Sequence, residues 1–103
     1  MNGRAHSIYR LVCHIPRGKV LSYGEVGRLA GASARQVGAA MRECPAVVPW
    51  HRVVGSGGRL LTPGDTAWRQ RELLILEGVR FRGKSVLYSQ YQWNAPGLRR
   101  TAR

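Results

Sequence analysis

The chain is poor in acid. Five Asp and Glu residues stand against 17 Lys and Arg in 103 residues, a formal net charge of +12. Solubility alone is better served by interspersed charges of both signs. So large an imbalance on so small a body points to a polyanionic partner, nucleic acid first and an anionic membrane second. Cysteine is scarce as well. Cys13 and Cys44 are too few for a metal cluster of their own and suggest no disulfide framework; burial is the commonest fate of such thiols. No run approaches the ~20 apolar residues that cross a bilayer. Residues 1–6 are polar and lack the apolar centre of a secretory signal, so the expected compartment is cytoplasmic. The stretch Gly55-Ser56-Gly57-Gly58 lacks the Lys-Ser/Thr ending of a phosphate loop. There is no internal repeat, and the length suits a single compact domain.

What remains is 44% apolar, enough for a globular core. Ile8, Leu11, Val12 and Ile15 recur at helical spacing and predict a helix over about residues 5–15, stopped by Pro16. Ser22-Tyr23-Gly24-Glu25 has the form of a capping box, in which the hydroxyl and the carboxylate satisfy each other's backbone N–H groups. Gly31 is placed to end that helix. Ser33-Ala34-Arg35-Gln36 is a second box, opening a helix that ends before Pro45. Two short capped helices so close together predict a helix-turn-helix. Residues 47–54 read as a loop running into a short strand, with Leu60 and Leu61 as a return strand. A further helix starts at Thr62-Pro63 or Asp65, carries Ala67, Trp68, Leu73, Leu74 and Leu76, and is capped by Gly78. Residues 79–81 and 86–93 read as a hairpin around Gly83-Lys84, and residues 94–103 as a flexible basic tail. The expected fold is mainly α with a small β-hairpin, a winged-helix-like helix-turn-helix domain over residues 1–93.

The informative segment is Pro49-Trp50-His51-Arg52-Val53-Val54. With it go Ile15-Pro16-Arg17-Gly18-Lys19-Val20, Ser22-Tyr23-Gly24-Glu25-Val26, Arg35-Gln36-Val37-Gly38-Ala39-Ala40-Met41 and Glu77-Gly78, collinear over residues 5–82. In these segments the chain resembles the DNA-binding domain of the O6-alkylguanine-DNA alkyltransferases. Their signature is Pro-Cys-His-Arg-Val-Val/Ile, with the cysteine as alkyl acceptor. Trp50 in the cysteine's place, together with Tyr91-Gln92-Trp93, resembles the alkyltransferase-like proteins. That resemblance implies binding of O6-alkylguanine in double-stranded DNA without alkyl transfer. It also implies hand-over to nucleotide-excision repair proteins, a monomer, a nucleoid-associated location in the cytoplasm, and neither metal nor cofactor.

Chemistry agrees about position 50. Alkyl transfer from a guanine oxygen needs a strong nucleophile, for which a thiolate serves well. Indole nitrogen is a donor only, so Trp50 has no lone pair with which to attack. It offers a broad apolar face and one polar edge. The expected lesion pocket comprises Tyr23, Pro49, Trp50, His51, Arg52, Val53, Ser56 and Glu77. His51 and Glu77 would activate the thiol in an alkyltransferase; here the expectation is that they hold the pocket loop against the last conserved helix. By resemblance, Arg35 is the arginine finger that replaces an extruded base and Tyr23 the residue that helps rotate the nucleotide outward. Ser33, Ala34, Arg35, Gln36, Gly38, Ala39 and Tyr23 form the expected DNA face, and the small residues among them suit close approach in the minor groove.

The chain also departs from the family. Full alkyltransferases carry an additional N-terminal domain. Cys44 replaces an asparagine before the pocket loop, and that loop is shorter. Pro63 stands where some relatives carry a base-reading arginine, leaving Arg59 as a substitute. Two alternatives stay open: a suicide alkyltransferase using Cys44 or Cys13, and a sequence-specific regulator reading the major groove.

Overall fold

A computed structural model describes residues 3–62 and 64–95. The first helix, α1 (Gly3–Cys13), begins and ends about two residues earlier than its apolar spacing predicts. The reason is that His14 and Ile15 close a turn, donating N–H to Leu11 O and Val12 O, rather than continuing the helix. Ile8 and Val12 of α1, with Ile15 behind them, are essentially buried.

The helix-turn-helix is α2 (Tyr23–Ala30) followed by α3 (Ala34–Arg42). Both capping boxes form. Ser22 Oγ accepts from the Glu25 N–H at 3.1 Å, and Ser33 Oγ accepts from the Gln36 N–H at 3.1 Å. The turn between them is tight because of two glycines. Gly31 adopts φ 74°, the left-handed conformation a side chain resists. At Gly27 a Cβ would lie 2.4 Å from Ala32 O, whose own N–H donates to Gly27 O at 2.7 Å. α1 crosses this pair and is pinned by the Tyr9 hydroxyl, which donates to Ala40 O at 2.8 Å. Val26, Val37 and Ala40 face inward against Ile8, Val12 and Ile15, and this is the larger of two core clusters.

After α3 the chain makes a 3₁₀ turn over Trp50–Arg52. It then enters β2 (Val53–Val54), which pairs in parallel with β1 (Leu21–Ser22), Leu21 opposite Val53 and Ser22 opposite Val54. The pocket loop is thereby anchored directly to the residue that caps α2. A second 3₁₀ turn covers Ser56–Gly58. No return strand forms at Leu60 and Leu61. Gly55 N–H donates to Arg59 O at 2.6 Å, turning the chain back at once; Arg59 makes a single bridge to Ser85, and Leu61 is left 51% exposed.

The last long helix is α4 (Gly64–Leu76), with Asp65 in its first turn and Gly78 beyond its end at φ 87°. Leu74 of α4 joins Val20, Val54, Val79 and Val86 in the second core cluster. The expected hairpin is present but short: β3 (Phe81–Arg82) pairs with β4 (Ser85–Val86). Beyond it the predicted strand is instead a helical turn, α5 (Tyr88–Tyr91). Helical spacing puts Tyr88 and Tyr91 on one side, and both pack against the second cluster; strand alternation would send them to opposite faces. Gln92 then bridges to Val20, and Trp93 N–H donates to Val20 O at 2.8 Å. Of the tail expected over residues 94–103, Ala95 is 2% exposed and belongs to the larger core. Residues 96–103 lie outside the described part. The whole is a mainly α, winged-helix-like domain.

Candidate nucleic-acid interface

Between α3, the Trp50 turn, the segment leading into α4 and the middle of α4 lies a cavity of about 240 Å³. Three of the expected pocket residues line it: Tyr23, Trp50 and Val53. Gly38, expected on the DNA face, lines it too. Met41, Arg42, Leu61, Thr62 and Gln70 complete the wall. The half-buried indole of Trp50 stands edge-on to the His51 ring, 6.1 Å between centroids at 85°. The wall is thus mostly apolar, with a few polar groups and one cation. Burial raises the pKa of the Tyr23 phenol above its ordinary value, and the nearby charge of Arg42 opposes this in part.

Pro49, His51, Arg52, Ser56 and Glu77 do not line the cavity. His51, Arg52 and Glu77 form a single ionic network outside the cavity wall. His51 Nε2 is 2.7 Å from Glu77 Oε2, and Arg52 Nη2 is 2.8 Å from the same oxygen. Arg52 Nε also donates to Oε1 at 3.1 Å, while its Nη1 donates to Ile15 O at 2.9 Å. Gly18 N–H donates to Oε1 at 2.8 Å. Burial works to raise the pKa of the Glu77 carboxyl. The hydrogen bonds from Arg52, His51 and Gly18, with the charge of His51, overcome it and hold the value at about 2. A carboxylate ionised down to that pH is acceptor-only, so Nε2 of His51 carries the proton between them. The network fastens the Trp50 turn to the end of α4 and to the loop after α1. Pro49 is the half-buried residue that precedes the turn, and Ser56 is exposed beyond β2.

Gln70 is a site residue that sequence reasoning missed. It is 1% exposed, and its Nε2 donates to His51 O at 3.1 Å and Val53 O at 3.0 Å. Its Oε1 accepts from Thr62 Oγ1 at 3.0 Å. One signal was there: Ala67, Gln70 and Leu74 share the inward face of α4, and a polar residue on a buried stripe needs dedicated partners. Met41, Arg42, Leu61 and Thr62 carried no such signal.

The expected DNA face is presented as a surface. Ser33, Ala34, Arg35, Gln36 and Ala39 are exposed along α3 and its cap. The Arg35 side chain has no hydrogen-bond or ion-pair partner among the described residues. At Gly38 an added Cβ would meet only the Tyr23 ring at 3.8 Å, an ordinary contact, so nothing inside the fold demands glycine there. Arg59 is exposed and stands outside the cavity wall, and Pro63 lies outside the described residues. Neither cysteine lines the cavity: Cys13 is exposed and Cys44 half-buried. Burial, with a smaller contribution from Cys13, pushes the Cys44 thiol up to about 11, which disfavours the thiolate that chemistry requires. Among the described residues no group of three His, Cys, Asp or Glu is placed to hold a metal ion, and no helix is long and apolar enough to cross a membrane.

Residues 4–79 match the family described as 6-O-methylguanine DNA methyltransferase, DNA binding domain. A protein of Escherichia coli K12 called DNA base-flipping protein is 40% identical over 92 residues, covering 84% of this chain and 71% of its own length. Alkyltransferase-like protein 1 of Schizosaccharomyces pombe is 40% identical over 97 residues, covering 86% of each chain. The crystal structure of S. pombe Atl1 in complex with damaged DNA containing O6-carboxymethylguanine superposes with a TM-score of 0.81 at 35% identity, covering 92% of this chain and 98% of the other.

Proposed function

The chain belongs to the family of the 6-O-methylguanine DNA methyltransferase DNA-binding domain, and from that premise we propose that it binds O6-alkylguanine in duplex DNA by flipping the nucleotide and leaves the alkyl group in place. The observation that carries this is Trp50 in the wall of the cavity, where the family's signature has its nucleophile. Relatives named for base flipping, and one solved with damaged DNA, support it.

The steps follow from the residues. Exposed arginines and lysines hold phosphates without sequence preference. The small surface of α3 lies in the minor groove, and Arg35 enters the duplex, where a guanidinium can stack and hydrogen-bond at once. Tyr23, at the first position of α2 and in the cavity wall, presses on the rotating nucleotide. Extrusion costs a few kcal/mol, less for a base whose pairing is already weakened. Inside, an alkyl group gains on the order of 0.8 kcal/mol per buried methylene against Trp50, Met41 and Val53. The His51–Arg52–Glu77 network has no thiol to activate and serves to hold the turn. Acting as a monomer, the protein marks the lesion for nucleotide-excision repair.

Affinity for matched duplexes with and without O6-methylguanine, at stated salt, tests the proposal, together with intact mass after incubation. Tighter binding of the modified duplex at unchanged protein mass is the expected result. In Trp50→Ala the preference for the modified duplex shrinks. Equal preference in wild type and variant removes the role assigned to the indole, and a gain of one methyl on the protein refutes binding without transfer.

A further inference from the structure

α3 carries two arginines seven residues apart, Arg35 and Arg42, and a separation of two turns places them on one side of the helix. Gly38 lies between them on the same side, and Gly38, Met41 and Arg42 all line the cavity. The stripe that meets the duplex at Arg35 therefore continues into the pocket and ends there in a positive charge. Arg42 is exposed, and no carboxylate neutralises it among the described residues. The other polar groups of the wall carry no charge to match an anion. The Thr62 hydroxyl proton is given to Gln70, and both N–H groups of Gln70 are given to backbone carbonyls. Tyr23 and Trp50 each offer one neutral donor.

We propose, resting on the reading above, that Arg42 is a subsite for the distal end of the adduct and selects O6-alkylguanines whose alkyl group ends in an anion, such as a carboxylate, over neutral adducts of the same size. A neutral alkyl tail gains by covering Trp50, Met41 and Val53. An anionic tail buries less apolar surface and loses hydration, so it needs a fixed cation at the point where it stops. Arg42 supplies that cation at the edge of the cavity, where solvent weakens the pair without abolishing it.

The test compares four matched duplexes containing guanine, O6-methylguanine, O6-carboxymethylguanine or its uncharged amide isostere, bound to wild type, Arg42→Gln and Arg42→Lys. Wild type is expected to bind the acid about two- to fivefold more tightly than the amide, the range for a partly screened ion pair. That ratio falls to about one in Arg42→Gln, returns in part in Arg42→Lys, and shrinks as salt is raised. Thermal melting of the variants checks that they are folded. Equal binding of acid and amide by wild type overturns the assignment. So does a uniform loss across all four duplexes in Arg42→Gln, which would make Arg42 a phosphate contact. Both results leave the preference for O6-methylguanine over guanine intact; loss of that preference in wild type overturns the parent reading instead.

Discussion

Replacing Glu77 with glutamine tests whether the ionic network holds the Trp50 turn. In the folded protein the carboxyl titrates at about 2, against an ordinary 4.5. At about 1.4 kcal/mol per unit this depression stabilises the fold by about 3 kcal/mol. The Glu77 side chain is only 6% exposed, so solvent screening removes little of it. The sign follows from the depressed value. The contribution is fully present above the unfolded carboxylate's value near 4.5, and it is lost as pH falls toward about 2. Urea unfolding of wild type and Glu77→Gln across that window is the assay. The variant is expected to be less stable by about 3 kcal/mol near neutral pH, a fall in Tm of roughly 12–24 °C for a domain of this size. The gap narrows on acidification, because protonated Glu77 and glutamine are then alike in charge. Comparison with the variant also cancels the general acid destabilisation of a chain with net charge +12. Equal stability near neutrality, or a gap that does not change with pH, would refute the reasoning.

Arg35→Ala should weaken binding to modified and unmodified duplexes alike, by about tenfold or more, because extrusion then lacks a replacement in the stack; a titration showing loss for only one of the two would argue against the finger role. Gly38→Ala should separate folding from binding. Its Cβ meets only the Tyr23 ring at an ordinary distance, so stability should hold or rise by roughly 0.5–1 kcal/mol in a helix interior, while affinity for duplex falls as the surface of α3 thickens. Thermal melts and binding curves on the same preparation decide this, and undiminished affinity would remove Gly38 from the DNA face.

The helix-turn-helix was legible because its determinants are local. Each capping box is four consecutive residues, and Ser22 and Ser33 do what such serines do at a helix start. The segment at Tyr88 has the pattern of a strand, but its conformation is set from afar. The Tyr88 hydroxyl donates to the Glu25 carboxylate and accepts from the Ser22 N–H, more than sixty residues away. An alternation of apolar and polar residues could not register that partner. The return strand at Leu60 and Leu61 fails for a different, local reason: their hydrophobicity suggests a ladder, but the Gly55–Arg59 closure leaves the chain no length in which to build one.

In the site the division is sharper. That position 50 cannot attack an alkyl carbon is a property of indole, and it holds in any fold. The identity of the family and the placing of Arg35, His51 and Glu77 likewise rest on residues that lie in order along the chain. The cavity does not. Its wall brings Tyr23 and Gly38 against Trp50 and Val53, and these against Thr62 and Gln70, from segments that meet only after α3, β2 and α4 have packed. Whether Arg42 reaches the cavity wall, and whether Gln70 is surface or scaffold, depends on which helix faces turn toward one another, and that is settled by the burial of two hydrophobic clusters rather than by any short motif.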